Sequence, residues 1–242
     1  INTIRDLSER LGGGYIFGTE FVELSLGDNS EQRENQGQIN RHGIHGNGII
    51  SHFPLLEPHI IRLEKTGRWF IEPWEGQVRV GGRLAIAAKV KLMDQELIVA
   101  SIHVESHSTP SDRAENTRMM LEAIDTVYGK DVPVLTGGDF NTNTILNRAE
   151  YSPEMKQKLV REEPLRFVRP QAHEPLFELM ESKGYTHKGF NVPDAPTQRY
   201  ENHNSIIPLQ KIDWFFGRLL SPEAPLIIPA LDSEGKMLSD HE

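Results

Sequence analysis

The stretch Asp131–Asn143 reads Asp-Val-Pro-Val-Leu-Thr-Gly-Gly-Asp-Phe-Asn-Thr-Asn. It sets a carboxylate, Asp139, and a carboxamide, Asn141, two residues apart just after two glycines. Val132, Val134 and Leu135 are β-formers in a short apolar run, which predicts a buried strand. Gly137 and Gly138 allow a sharp turn and a close approach of ligand to backbone. If the chain stays extended, Asp139 and Asn141 project to the same side. They then stand at the carboxyl end of a buried strand, where open α/β sheets place their ligands. The plainer reading is a strand-to-loop turn, since Gly, Asp and Asn are common turn formers.

Other residues able to do chemistry are scattered along the chain. His103 comes near the end of the apolar run Leu97–Val104, where a lone histidine is often a satisfied structural residue. Asp213 sits within the apolar run Lys211–Phe216, and Asp240 and His241 lie beside the last residue, Glu242. Histidines 42, 45 and 52 tempt a metal-site reading, but no acidic residue accompanies them. Gly46-Asn47-Gly48 between them instead predicts a loop that lets Asn47 come close to substrate. Arg199, in the loop-like segment from Asn191 to Pro208, is a candidate phosphate ligand, weighed against a solvated surface arginine.

These residues need elements to hold them. A helix is expected over Thr3–Leu11, with Thr3 and Asp6 as a capping pair and Gly12 at its end. A strand follows over Tyr15–Leu24, and then a polar surface loop or insert over Asp28–Gln38. Leu84–Met93 and Leu97–Val104 alternate as a hairpin with Asp94-Gln95 at its turn. Thr109 caps a long helix that begins at Pro110 and closes at Gly129. Strand, helix and strand here form a crossover unit ending at Asp139. Three prolines break any long element between Thr142 and Pro170. A short helix is expected over Pro175–Ser182, a strand from Lys211 to Phe216, and another over Leu226–Leu231.

Composition bounds the possibilities. The chain has 242 residues, 37% hydrophobic and 25% charged, as in ordinary globular proteins. No apolar run approaches the roughly 18 residues needed to span a membrane. The net charge of −9 argues against a broad basic face for nucleic acid, though not against a local basic cleft. With no cysteine, any metal must sit on oxygen or imidazole. The chain opens on Ile1 without a methionine and stops directly after Asp240-His241-Glu242, so an excised part of a longer protein is expected.

Five segments together resemble a known family. Gly46-Asn47-Gly48-Ile49-Ile50-Ser51, Ser101-Ile102-His103, Gly137-Gly138-Asp139-Phe140-Asn141, Lys211-Ile212-Asp213-Trp214 and Ser239-Asp240-His241 occur in the order seen in the endonuclease/exonuclease/phosphatase superfamily. The resemblance spans residues 46–241. It implies an α/β fold, a four-layered sandwich of two mixed β-sheets with outer helices, as in deoxyribonuclease I. Residues 1–242 are then expected to be a single domain, cut at both ends, and monomeric.

The resemblance also implies a Mg²⁺-dependent hydrolase of phosphate esters, with Mn²⁺ as the other candidate ion. The substrate would be a lipid headgroup, a small molecule or a nucleic acid, the last disfavoured by the acidic balance. Water attack on a phosphate ester needs a nucleophile, charge neutralisation and help for the leaving oxygen. A histidine takes a proton from water when a carboxylate fixes its tautomer and stabilises its cation, which suits His241 with Asp213. Asp139 and Asn141 would orient the water or bind a phosphoryl oxygen. His103 looks like the family histidine that bonds the phosphate or assists the leaving group, and Asp240 like the carboxylate near the metal. An asparagine and the main metal-binding glutamate of the family precede the matched region and have no counterpart here. The longer protein is expected to supply both. The contrasting reading is a non-catalytic binding module that keeps the fold.

Overall fold

The computed structural model describes residues 3–41, 43–64, 67–74, 76–142, 152–198 and 210–242. In chain order these hold α1 (Thr3–Leu11), β1 (Gly14–Glu23), α2 (Asn29–Glu34), β2 (Ile44–Ser51), β3 (Leu55–Arg62), α3 (Arg68–Ile71), β4 (Arg79–Gly81), β5 (Leu84–Leu92), β6 (Gln95–His103), α4 (Pro110–Tyr128), β7 (Val134–Asp139), α5 (Pro153–Glu162), α6 (Leu176–Ser182) and β8 (Asp213–Arg218). The strands form two sheets, of three and five strands, and with the helices they make an α/β architecture. The chain divides into two compact units, residues 1–103 with 119–130 and residues 104–118 with 131–242.

In the first unit β2, β1 and β4 form an antiparallel sheet, with Gly18 opposite Asn47. Gly46 and Gly48 lie inside β2 rather than in the expected loop. They mark close approach, because a Cβ on Gly46 would stand 2.0 Å from the Gly18 carbonyl oxygen. β3, β5 and β6 pair antiparallel, and the hairpin turns at Met93-Asp94, one residue before the expected position. Leu84, Ile86, Ala87 and Ala88 of β5 are fully buried, as in a central strand covered on both faces. Phe21 and Trp69 meet edge to face beneath Arg79. One expectation fails here. Residues Asp28–Glu34 carry a helix with a capping box, where the Asp28 carboxylate accepts from the Ser30 and Glu31 amides. Among the described residues of 142–170 the prolines do keep elements short, with Pro153 opening α5 behind the Ser152 cap and Pro164 following its end.

In the second unit β7 and β8 pair antiparallel from Val134 opposite Arg218 to Asp139 opposite Asp213. The glycines expected to form a turn belong to β7. A Cβ on Gly137 would lie 2.4 Å from the ring of exposed Phe215, a side chain that would have to swing aside. Phe140, Phe177, Trp214 and Phe216 form an aromatic core, with Phe177 and Trp214 centroids 4.8 Å apart. Buried Arg113 grips buried Glu174 through two nitrogens, at 3.1 and 2.5 Å. Leu226–Leu231 forms no strand. Pro225 and Pro229 remove backbone donors there, and Leu226 and Ile228 stay 71% and 74% exposed.

Candidate functional site

The antiparallel register of β7 and β8 sets the Asp139 and Asp213 backbones directly opposite each other. Two like charges at facing positions repel, so this end of the ladder needs a cation or proton to balance it. His241 meets that need. Its Nδ1 lies 3.1 and 3.0 Å from the two Asp213 carboxylate oxygens. The Asp213 hydrogen bond raises its pKa from 6.5 to about 9, against the opposing effect of burial, with the charges of Asp213, Asp139 and Asp240 adding to the rise. One ligand atom from each of Asp139, Asp213 and His241 falls within 4.8 Å of the others.

Thr197 brings the C-terminal segment to this place. Its buried hydroxyl accepts from the Ile212 and Asp213 amides at 3.1 and 3.0 Å, and its carbonyl accepts from the Glu242 amide at 2.8 Å. One residue thus registers the segments that carry both partners of the His241–Asp213 pair, through its hydroxyl on one side and its backbone carbonyl on the other. Nothing in sequence marked Thr197, since a loop threonine gains this meaning only when two distant segments meet on it.

Asp139 and Asn141 come together, though not as an extended pair. Asn141 takes φ of +47°, a left-handed conformation that asparagine tolerates. Its backbone amide turns back to Asp139 Oδ1 at 2.8 Å, and its Nδ2 reaches Oδ2 at 3.2 Å and the Val104 carbonyl at 2.7 Å. The amide therefore holds the Asp139 carboxylate by two charge-assisted bonds. Thr142 anchors the following turn, donating to the Lys211 carbonyl and accepting from the Trp214 indole.

The other expected residues are not members of this three-residue cluster. Asp240 has Oδ2 3.9 Å from His241 Nε2 and is outside the three-residue cluster. His103, at the end of β6, and Asn47, in β2, belong to the first unit and share a network there. Buried Glu20 accepts from Asn47 Nδ2 at 3.3 Å, from the Leu84 amide at 3.3 Å and from Arg83 Nη1 at 3.2 Å. Asn47 Nδ2 also donates to the Leu84 carbonyl at 2.8 Å, so both its hydrogens are engaged. Arg83 Nη1 stands 2.9 Å from His103 Nδ1. Glu20 and Arg83 were not foreseen as site residues, being a strand acid and the residue before a strand. Arg199 and His42 lie outside the described residues. His45 and His52 join no metal-capable cluster among the described residues.

No protein-family model and no curated protein matches the chain in sequence. Solved structures do match in shape. An endonuclease/exonuclease/phosphatase family protein from Leptotrichia buccalis C-1013-b superposes with a TM-score of 0.53 at 14% identity, over 99% of this chain and 75% of that one. The fold is the endonuclease/exonuclease/phosphatase fold. A Bacteroides thetaiotaomicron VPI-5482 mannosyl-6-phosphatase shares it with a TM-score of 0.51 and 15% identity, over 89% of this chain and 66% of that one. So does the human Nocturnin catalytic domain with bound sulfate, with a TM-score of 0.50 and 14% identity, over 90% and 65%. The chain spans less than two-thirds of the Nocturnin domain and 46% of an endonuclease/exonuclease/phosphatase from Beutenbergia cavernae DSM 12333. In this fold the two sheets form the α/β sandwich that the sequence motifs imply.

Proposed function

We propose that the chain forms the catalytic domain of a metal-dependent phosphoric ester hydrolase. The observation that carries this reading is the cluster of Asp139, Asp213 and His241, in which an imidazole is bonded through Nδ1 to one carboxylate and placed within reach of a second. In this reading Asp213 orients His241, leaving Nε2 as the atom that exchanges a proton with water or the leaving oxygen. Asn141 and Asp139 orient the attacking water. The fold is shared with a protein named as a phosphatase, which supports the same class of reaction.

The donor set suits a hard divalent ion, because two of its three members are carboxylates and no sulfur is present. Mg²⁺ or Mn²⁺ would be held by carboxylate oxygens here, with Asp240 contributing as the sequence resemblance implies. The ion would supply Lewis-acid polarisation of a phosphoryl oxygen. His241 bonded to Asp213 holds a proton, so it serves the reaction better as an acid–base group than as a ligand. His103 is assigned to bond the phosphate or assist the leaving oxygen, as the resemblance implies, and Asn47 and Arg199 to contact substrate.

The test is hydrolysis of bis-p-nitrophenyl phosphate by the full-length protein, with Mg²⁺ and with EDTA. Turnover should need the metal and fall by about 10²- to 10⁴-fold in His241→Ala. Turnover that is absent, or indifferent to EDTA, would instead favour a binding module that keeps the fold.

A further inference from the structure

β8 begins with an irregularity that one side chain explains. In a regular strand successive amides point to opposite edges. The Ile212 and Asp213 amides instead converge on the Thr197 hydroxyl oxygen, at 3.1 and 3.0 Å. A hydroxyl has two lone pairs and can accept both. The chain must bend to bring the two amides together, and the bend falls at the residue that carries the Asp213 carboxylate. The peptide joining Ile212 to Asp213 is held on both sides, since its carbonyl accepts from the Phe140 amide at 3.0 Å while its N–H meets Thr197. The direction of the Asp213 side chain is therefore set between a β7 contact and a single hydroxyl.

The backbone of Thr197 is anchored without that hydroxyl. Its amide donates to the Gln210 carbonyl and its carbonyl accepts from the Glu242 amide, both at 2.8 Å. Upstream, the Asn191 carboxamide pairs with both backbone groups of Phe215, at 2.8 and 2.9 Å, and Lys211 Nζ donates to the Val192 carbonyl. Segment 191–197 thus keeps its place along β8 by other bonds, and the hydroxyl is left to serve the start of the strand. Thr197 is 6% exposed, and its branched side chain has few rotamers to turn into. What depends on the bend is the approach of His241, whose Nδ1 lies 3.1 and 3.0 Å from the two Asp213 oxygens.

We propose that Thr197 is a positioning residue, which holds the bend at the start of β8 and so aims the Asp213 carboxylate at His241. It acts through Asp213 and, being buried, does not touch substrate. The inference rests on the phosphoric ester reading above for its effect on turnover, but not for its effect on the His241–Asp213 bond.

The test compares Thr197→Val, which keeps the shape and removes the acceptor, with Thr197→Ser, which keeps the acceptor. With Mg²⁺ and bis-p-nitrophenyl phosphate, Thr197→Val in the full-length protein should lower kcat by about 10²-fold, the scale of a misplaced catalytic group, and leave KM little changed. Thr197→Ser should keep most of the turnover. The double variant with Asp213→Asn should be no slower than Asp213→Asn alone, because a residue that acts only through Asp213 has nothing left to position. In ¹⁵N-histidine spectra the downfield His241 Nδ1–H resonance, identified by its loss in His241→Gln, should move in Thr197→Val and stay in Thr197→Ser. Should Thr197→Val not fold, Thr197→Cys replaces it, and its weak sulfur acceptor should give a loss between those of serine and valine. A resonance that does not move, a loss that serine shares, or losses that add to that of Asp213→Asn would overturn the proposal. Absence of any turnover in the unaltered protein would sink the hydrolase reading, while the resonance still decides the positioning.

Discussion

At the scale of single residues, the His241–Asp213 pair makes a prediction whose sign can be fixed in advance. The imidazole pKa stands at about 9 in the folded chain, raised first by the Asp213 hydrogen bond, against roughly 6.5 when unfolded. A raised folded value means that the cation is favoured by folding. Its stabilisation is complete below about pH 6.5 and disappears as pH climbs through about 9. The side chains are 33% and 22% exposed, so solvent screening trims the contribution to on the order of 1–2 kcal/mol. Urea unfolding in EDTA should therefore show stability falling across that alkaline window. Asp213→Asn should remove most of the fall and return the His241 titration to near 6.5. A wild-type His241 that titrates at its ordinary value would contradict the pairing.

At the scale of elements, two strand glycines separate close backbone approach from side-chain crowding. In Gly46→Ala the new methyl would meet the Gly18 carbonyl at 2.0 Å, and the paired strands β1 and β2 would have to part. In Gly137→Ala it would meet the Phe215 ring at 2.4 Å, but Phe215 is 51% exposed and free to rotate outward. Gly46→Ala should thus cost near the top of the ~1–3 kcal/mol typical of overpacking, and Gly137→Ala clearly less. Thermal melts that reverse this order would show that the β1–β2 spacing is softer than drawn. The same glycines show how far the sequence could be read. β5 and β6 were legible as an alternating hairpin about a polar turn, β7 and β8 from short apolar runs, and α4 because Thr109, Pro110 and Gly129 punctuate it. The glycines in β2 and β7 looked like turns, since a glycine needed for close packing and one needed for bending have the same letter. α2 and α5 escaped notice because both are polar and their caps, not an apolar face, define them. Asp139 and Asn141 were rightly paired for the wrong reason, because the left-handed turn at Asn141 is a tertiary choice. Leu226–Leu231 was apolar enough for a strand, but its prolines leave too few donors for a ladder.

At the scale of the molecule, charge bears on the substrate. The net charge is −9, and several of its cations are already paired with carboxylates: Arg79 with Glu23, Arg83 with Glu20, Arg113 with Glu174 and Arg169 with Asp194. A protein that holds DNA gains most of its affinity by replacing counterions along the backbone with Lys and Arg, and cations satisfied internally contribute little to that exchange. A small phosphate ester makes no such demand, since one phosphoryl group needs only a local cation and a few donors. The expected outcome is therefore that, with Mg²⁺, the full-length protein hydrolyses small phosphate mono- or diesters at protein concentrations that leave supercoiled plasmid uncut. Raising salt from low to physiological levels should change that hydrolysis little. Plasmid nicking that exceeds small-ester turnover and falls steeply with salt would reverse the assignment, because that slope counts phosphates held by cations and so would reveal a basic track that the overall charge conceals.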